Sequence, residues 1–159
     1  MKKIMIVDDN YLSAEGIEKN IDWETLNAEI IHVCYNGTSA IEAMKKEPAD
    51  LIISDIEMPD LDGISMSRQA LEINPMVKII LISAYDKFEY ARRALLLGAL
   101  DYIEKPLDYA YLIQKVKNAF ALMEKEQKNL QLLKQSRPLL TEKFFREITH
   151  LPSSEAAYR

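Results

Sequence analysis

Cys34 is the only cysteine in this chain of 159 residues. One thiol makes neither an internal disulfide nor a cysteine metal cluster, which fits a reducing compartment. Glycine and proline are scarce, at 4 and 6 residues, and that excludes collagen-like and low-complexity chains. No apolar run approaches membrane-spanning length. The opening MKKIMIVDDN falls far short of a signal-peptide apolar segment. Phosphate loops of the GxGxxG and GxxxxGK kinds are missing, as are HExxH and GxSxG. Histidine occurs only as His32 and His150, neither with a partner for metal or general-base work, so both read as structural. These absences leave a soluble cytoplasmic protein, with no membrane partner, as the expectation.

What is present is ordinary for a globular protein: 48% hydrophobic and 28% charged residues, enough for about one domain with a short appendage. The net charge of -5 is unevenly spread. Residues 1–123 hold 13 bases and 20 acids, whereas residues 124–159 hold 7 bases and 5 acids. The first part repels nucleic-acid phosphates, and the weakly basic tail reads as a solvated helix face. Trp23 and the 7 methionines read as core or rim filling, and Cys34 as a buried small hydrophobe.

Short β-branched runs alternate with longer amphipathic segments. Strands are expected at Lys3 to Val7, Glu29 to Tyr35, Leu51 to Ser54, Val77 to Ser83 and Leu100 to Glu104. Helices are expected at about 10–20, 38–47, 64–74 and 87–97, with a last one opening near Asp108. Most strands are apolar in succession, as strands covered on both faces should be. Right-handed crossovers then give an α/β fold with a doubly wound five-stranded parallel sheet of order 2-1-3-4-5. Turn signals at Asn36-Gly37 and Asp62-Gly63, and Gly98 at a helix end, support the boundaries.

From Asp108 to Arg137 there is neither Gly nor Pro, which predicts an extended C-terminal helix of about 45 Å. Leu112, Val116, Ala119, Met123, Leu130 and Leu133 form a stripe that Glu126 interrupts. Up to about Phe120 the stripe reads as the core face of a final helix; beyond it, as either a solvated face or a face for a partner helix. Pro138 should break the helix before a second apolar cluster at Leu140, Phe144, Phe145, Ile148 and Leu151, and LPSSEAAYR should fray. The expected division is a domain over residues 1–122 followed by a helical linker, or the start of a further region, over 123–159.

Chemistry concentrates where the strands end. Asp8 and Asp9 follow the first strand, Asp55 the third, Ser83 ends the fourth and Lys105 follows the fifth. In a parallel sheet these are all carboxyl ends on one edge, where such folds bind ligands. Three carboxylates repel one another, at about 4 kcal/mol per pair at 4 Å and an effective dielectric near 20. An oxygen-only cluster suits a hard divalent ion such as Mg²⁺. With Lys105 as a second cation, Ser83 as a donor and a carboxylate nucleophile, the set describes a phosphoryl-binding site. Any one Asp after a strand is ordinarily a turn former or helix cap, and Asp9 or Asn10 could cap the first helix. Capping does not account for placement after four strands together.

MIVDDN, LIISDIEMPDLDG, ILISAYD and DYIEKP resemble, in order and spacing, the four motif blocks of the receiver domain of two-component response regulators, over residues 2 to about 120. The resemblance implies a flavodoxin-like receiver fold with Asp55 as phosphoacceptor. It implies that Asp9 and Asp55 bind Mg²⁺, for which Mn²⁺ could substitute, together with the main-chain carbonyl of Glu57, and that Asp8 assists through water. Lys105 would pair with the phosphoryl group, Ser83 would be the switch hydroxyl, Tyr102 the aromatic that rotates inward, and the Lys105-Pro106 bond would be cis. Ser83 stands where Thr is commoner in the family.

GIEKNIDWETL, SAYDKFEYARRAL and LLKQSRPLLTEKFFREI further resemble regulators with an AraC-type DNA-binding output. Such a module needs on the order of 100 further residues, so the chain reads as truncated or naturally output-less, and truncation is favoured. The resemblance implies a switch charged by a sensor histidine kinase, with self-catalysed phosphoryl transfer and autodephosphorylation but no turnover activity. It also implies a homodimer through the fourth helix, fifth strand, final helix and its extension. DNA would be reached only through an output domain outside this chain, and the chain alone should not bind DNA specifically. Rival readings fit less well: a dehalogenase-type phosphatase carries D-x-D where Asp8 and Asp9 are adjacent, a flavin carrier needs a Ser/Thr/Gly-rich loop where VDDNYLS stands, and a degenerate scaffold would lack motif residues that are all present here.

Overall fold

The computed structural model describes residues 1–84 and 88–136. Strands and helices alternate throughout: β1 (Lys2–Val7), α1 (Tyr11–Asn20), β2 (Ala28–Cys34), α2 (Gly37–Lys46), β3 (Leu51–Asp55), α3 (Gly63–Ile73), β4 (Lys78–Ser83), α4 (Phe88–Leu97), β5 (Asp101–Glu104) and α5 (Tyr109–Ser136). The strands form one five-stranded sheet of order β2-β1-β3-β4-β5, and every pairing is parallel. That is the doubly wound order expected from the alternation of runs.

The central strands are apolar on both faces because helices cover both. Ile4, Met5 and Ile6 of β1, Leu51, Ile52 and Ile53 of β3, and Ile79 to Ile82 of β4 are all buried. Each such side chain contributes about 1.5 to 3 kcal/mol of transfer free energy. Helices supply the other half of each layer through Ala40, Ile41 and Met44 of α2, Ile64, Met66 and Ala70 of α3, and Leu112, Val116, Ala119 and Phe120 of α5. Trp23 belongs to the core and donates its indole N–H to the Ile17 carbonyl at 3.2 Å. Cys34 is buried, and burial pushes its thiol up to about 11. His32 donates from Nε2 to the Glu47 carbonyl at 2.9 Å, since a carbonyl oxygen only accepts.

Several boundaries differ from the sequence expectation by a residue or more. Strand β3 extends to Asp55 rather than ending at Ser54, because Asp55 still pairs with Ile82 of β4. Strand β2 runs from Ala28 and stops at Cys34, since Tyr35 leads directly into the Asn36 cap of α2. Gly98 takes φ +94° after α4, and its N–H returns to the Leu95 carbonyl at 3.1 Å, a helix end that favours glycine.

The chain divides into two compact units, residues 1–120 and 121–159. In the second unit the described residues are the later turns of α5, where Met123 and Glu126 are half-buried and Leu130, Leu132 and Leu133 are exposed. The expected break at Pro138, the apolar cluster from Leu140 to Leu151, His150 and the frayed end lie outside the described residues. Among the described residues, no helix is long and apolar enough to cross a membrane.

Candidate functional site

The site is built at the carboxyl edge of the sheet, where parallel strands stop and their side chains face solvent together. Strand β1 ends at Val7, buried and in register with Ser54, and the next two residues are Asp8 and Asp9. Asp8 is only 2% exposed. Its Oδ1 accepts from the Asn10 N–H at 2.9 Å, which turns the chain out of the strand. Asn10 then caps α1, accepting from Leu12 N–H at 2.9 Å and Ser13 N–H at 3.2 Å. Of the two cap candidates the structure uses Asn10, so Asp9 is left exposed with its carboxylate at the site.

Asp55 is 9% exposed at the end of β3. Its Oδ1 accepts weakly from the Glu57 N–H at 3.4 Å. The Lys105 ammonium donates to Asp55 Oδ2 and Asp8 Oδ2, both at 3.4 Å. One carboxylate oxygen from each of Asp8, Asp9 and Asp55 lies within 4.8 Å of the others. Burial pushes the Asp55 carboxyl up to about 6; Lys105 pulls against that shift and Asp8 adds to it. Burial works against the charge on Lys105, but Asp55 and Asp8 outweigh it and raise its pKa. The lysine therefore stays a cation at neutral pH, while burial and Asp8 make the Asp55 carboxyl hold its proton more tightly than a free one does.

Among the described residues these three acids are the one cluster able to hold a metal ion. Their donor set is oxygen alone, with net negative charge and one exposed member, which fits a hard divalent cation that keeps part of its water shell. Beside them opens a cavity of about 700 Å³ lined in part by Asp9, Asp55, Glu57, Met58, Arg93 and Lys105.

Asp8, Asp9, Asp55 and Lys105 thus come together as the sequence predicts. Glu57 lies on the cavity wall. Ser83 is fully buried at the end of β4, in register with Glu104, and at that strand the cavity is lined by Ala84. Tyr102 is half-buried on β5, in register with Leu81 and therefore on the same sheet face as Ser83, one pleat away. The Lys105-Pro106 peptide is cis, and the Lys105 N–H donates to the Ser83 carbonyl at 2.8 Å.

Two residues of the site region escaped the sequence reading. Arg93 of α4 lines the cavity, although nothing in FEYARRALLL separates it from a solvated helix arginine. Asp60 accepts from Gly37 N–H at 3.2 Å and Thr38 N–H at 3.0 Å, partners more than 20 residues away that no local pattern indicates.

A parallel sheet of this order carrying an acid cluster and a lysine on its carboxyl edge defines a class of α/β ligand-binding domains. The model of the response regulator receiver domain matches residues 4–117, and the chain belongs to that family. It is 29% identical to the uncharacterized transcriptional regulatory protein YesN of Bacillus subtilis, over 79% of this chain and 34% of YesN. The match spans 34% to 44% of the length of the curated relatives.

Among solved structures, the REC domain of AraT, a response regulator from Geobacillus stearothermophilus, is 34% identical with a TM-score of 0.75, covering 79% of this chain and 98% of that one. A two component transcriptional regulator AraC from Clostridium phytofermentans is 30% identical with a TM-score of 0.71, over 81% and 99% of the two chains. A chain of the CheX-CheY-BeF3-Mg²⁺ complex from Borrelia burgdorferi is similar at 29% identity and a TM-score of 0.66, over 75% and 89% of the two chains.

Proposed function

We propose that this domain is the phosphoacceptor switch of a two-component system, charged at Asp55 by a sensor histidine kinase. The observation that carries the reading is the Lys105 ammonium placed 3.4 Å from both Asp8 and Asp55, on an edge that also presents Asp9. Asp9, Asp55 and the main-chain carbonyl of Glu57 would hold Mg²⁺ or Mn²⁺, with Asp8 reaching it through water. When bound, the ion neutralises the developing charge on the phosphoryl oxygens.

The residues of the chain do the rest. An Asp55 carboxylate oxygen attacks the phosphorus in line, forming an O–P bond as the bond from phosphorus to the donor's histidine nitrogen breaks. The leaving imidazole keeps that electron pair, and water later hydrolyses the acyl phosphate. Lys105 pairs with the transferred group, Ser83 turns toward it, and Tyr102 fills the space that Ser83 leaves. The domain catalyses its own modification and hydrolysis and is not a turnover enzyme.

The proposed division is a receiver over residues 1–122 followed by a helical linker, or the start of an output region, over 123–159. Charging would favour a two-fold dimer through α4, β5 and α5, including the later turns of α5. In a longer cytoplasmic regulator that dimer would act on transcription, with DNA contacted by the output region. Family membership supports the phosphoacceptor role, and the AraC-type neighbour supports a transcriptional output.

Intact mass after incubation with acetyl phosphate and Mg²⁺ tests the reading: one phosphoryl group is expected, and Asp55→Asn should abolish it. Modification of Asp55→Asn at the wild-type rate, or of wild type without any divalent ion, defeats the assignment. Ser83→Ala should still accept phosphate yet lose phosphorylation-linked dimerisation. Undiminished coupling in that variant would place the switch elsewhere.

A further inference from the structure

The loop from Ile56 to Asp62 forms one wall of the cavity through Glu57, Met58, Pro59 and Asp62. It is fastened at both ends: Ile56 N–H bonds the Ile82 carbonyl at 2.9 Å and Gly63 N–H bonds the Ile56 carbonyl at 2.7 Å. Between those ends, Asp60 reaches across to a different element. Its two carboxylate oxygens accept separately from Gly37 N–H at 3.2 Å and Thr38 N–H at 3.0 Å, in the first turn of α2. The Asn36 side chain takes the next donor, Ser39 N–H, at 2.7 Å.

The leading N–H groups of a helix have no partner of their own and carry partial positive charge, so a carboxylate docks there firmly. The Thr38 side chain, with the main-chain donors, holds the Asp60 carboxyl well below the usual range. Contact is also steric. A Cβ on Gly37 would stand 2.4 Å from the Leu61 carbonyl oxygen, so the loop backbone rests directly on the start of α2. Asp60 is exposed and forms no part of the acid cluster.

We propose that Asp60 is a positioning residue that anchors the metal-binding loop on α2 and couples the first turn of α2 to the occupancy of the site. The proposal rests on the Mg²⁺-dependent phosphoacceptor reading above. Anchoring three residues beyond Glu57 limits where the Glu57 carbonyl can stand, so loss of the anchor leaves a ligand to be ordered at the moment of binding. Outer partners of ligands commonly account for 10-fold to 100-fold in metal affinity. Linkage makes the effect mutual: if the anchor favours metal binding, metal binding must tighten the anchor.

The test uses the full chain, with Mg²⁺ alone as the probe. Calorimetric titration should show Asp60→Ala binding Mg²⁺ about tenfold more weakly. Asp60→Asn, which keeps one acceptor oxygen and guards against a folding defect in the alanine variant, should fall between the two. Amide hydrogen exchange at Gly37 and Thr38 should slow on adding Mg²⁺ in wild type and stay unchanged in Asp60→Ala. At saturating Mg²⁺, Asp60→Ala should still be phosphorylated at Asp55 to completion.

Equal Mg²⁺ affinity in wild type and Asp60→Ala overturns the proposal, even if the variant melts at a lower temperature. So does exchange at Gly37 and Thr38 that ignores Mg²⁺ in wild type. Wild type that accepts no phosphoryl group at Asp55 overturns the parent reading and this one with it. Wild type modified at Asp55 beside an Asp60→Ala variant of undiminished affinity overturns the anchor alone.

Discussion

Asp55 is asked to be charged in a place that disfavours charge. Burial is the largest influence on it and raises its carboxyl from the ordinary 3.8 to about 6, despite Lys105. The folded state therefore holds this proton more tightly than the unfolded chain. Stability from that proton is complete below pH 3.8 and is lost as pH rises through about 6. Without divalent metal, Asp55→Asn should be more stable than wild type at pH 7.5, by up to about 3 kcal/mol, and no more stable near pH 3.5. Thermal melts at both values, with and without Mg²⁺, decide this; an advantage independent of pH would show that the charge is not its source.

At this scale the central residues were legible because each follows the end of an apolar run, which places Asp8, Asp9, Asp55 and Lys105 without knowledge of any contact. Asp60 was not legible. Its partners lie 22 and 23 residues back, and its sequence surroundings are those of any acidic turn.

At the scale of elements, β3 and α3 are joined by a turn that leaves no room for a side chain. A Cβ on Gly63 would stand 2.2 Å from the Asp55 carbonyl oxygen and 2.9 Å from the Ile56 Cα. Both contacts are backbone, which cannot swing aside as a long side chain can. Gly63→Ala should cost about 1 to 3 kcal/mol, as overpacking does, and because the displaced backbone belongs to Asp55 it should also slow phosphorylation. Urea melts and the acetyl phosphate reaction measure the two effects; a fully stable, fully reactive variant would show that the turn relaxes freely.

The order and type of all ten elements followed from where β-branched runs and helical periodicity alternate. Their ends did not. Whether β3 stops at Ser54 or Asp55 depends on Ile82 across the sheet, and whether Asp9 or Asn10 caps α1 depends on Asp8 first turning the chain through the Asn10 N–H.

On the scale of the whole molecule, the stripe along α5 changes character within one helix. Leu112, Val116 and Ala119 are fully buried, whereas Leu130 and Leu133 are 48% and 61% exposed. Apolar side chains at that spacing would each gain about 1.5 to 3 kcal/mol on full burial, and a second copy of the same helix can supply it. Sedimentation should show association that strengthens with phosphodonor in wild type and weakens in a Leu130→Asp, Leu133→Asp double variant. Unchanged association would remove the later turns of α5 from the interface. The sequence left this part open between a solvated and a paired face, since periodicity states which residues align and not what they meet.

The Lys105 ammonium closes one bond across 97 residues to Asp8 and another across 50 to Asp55. A ribosome making this chain releases the acids of β1 and β3 well before the lysine after β5. Through that interval the growing polypeptide carries Asp8 and Asp55 without their balancing ammonium. Under the proposed phosphoacceptor role, a chain cut short before the fifth strand would lack the ammonium that pairs with the transferred group.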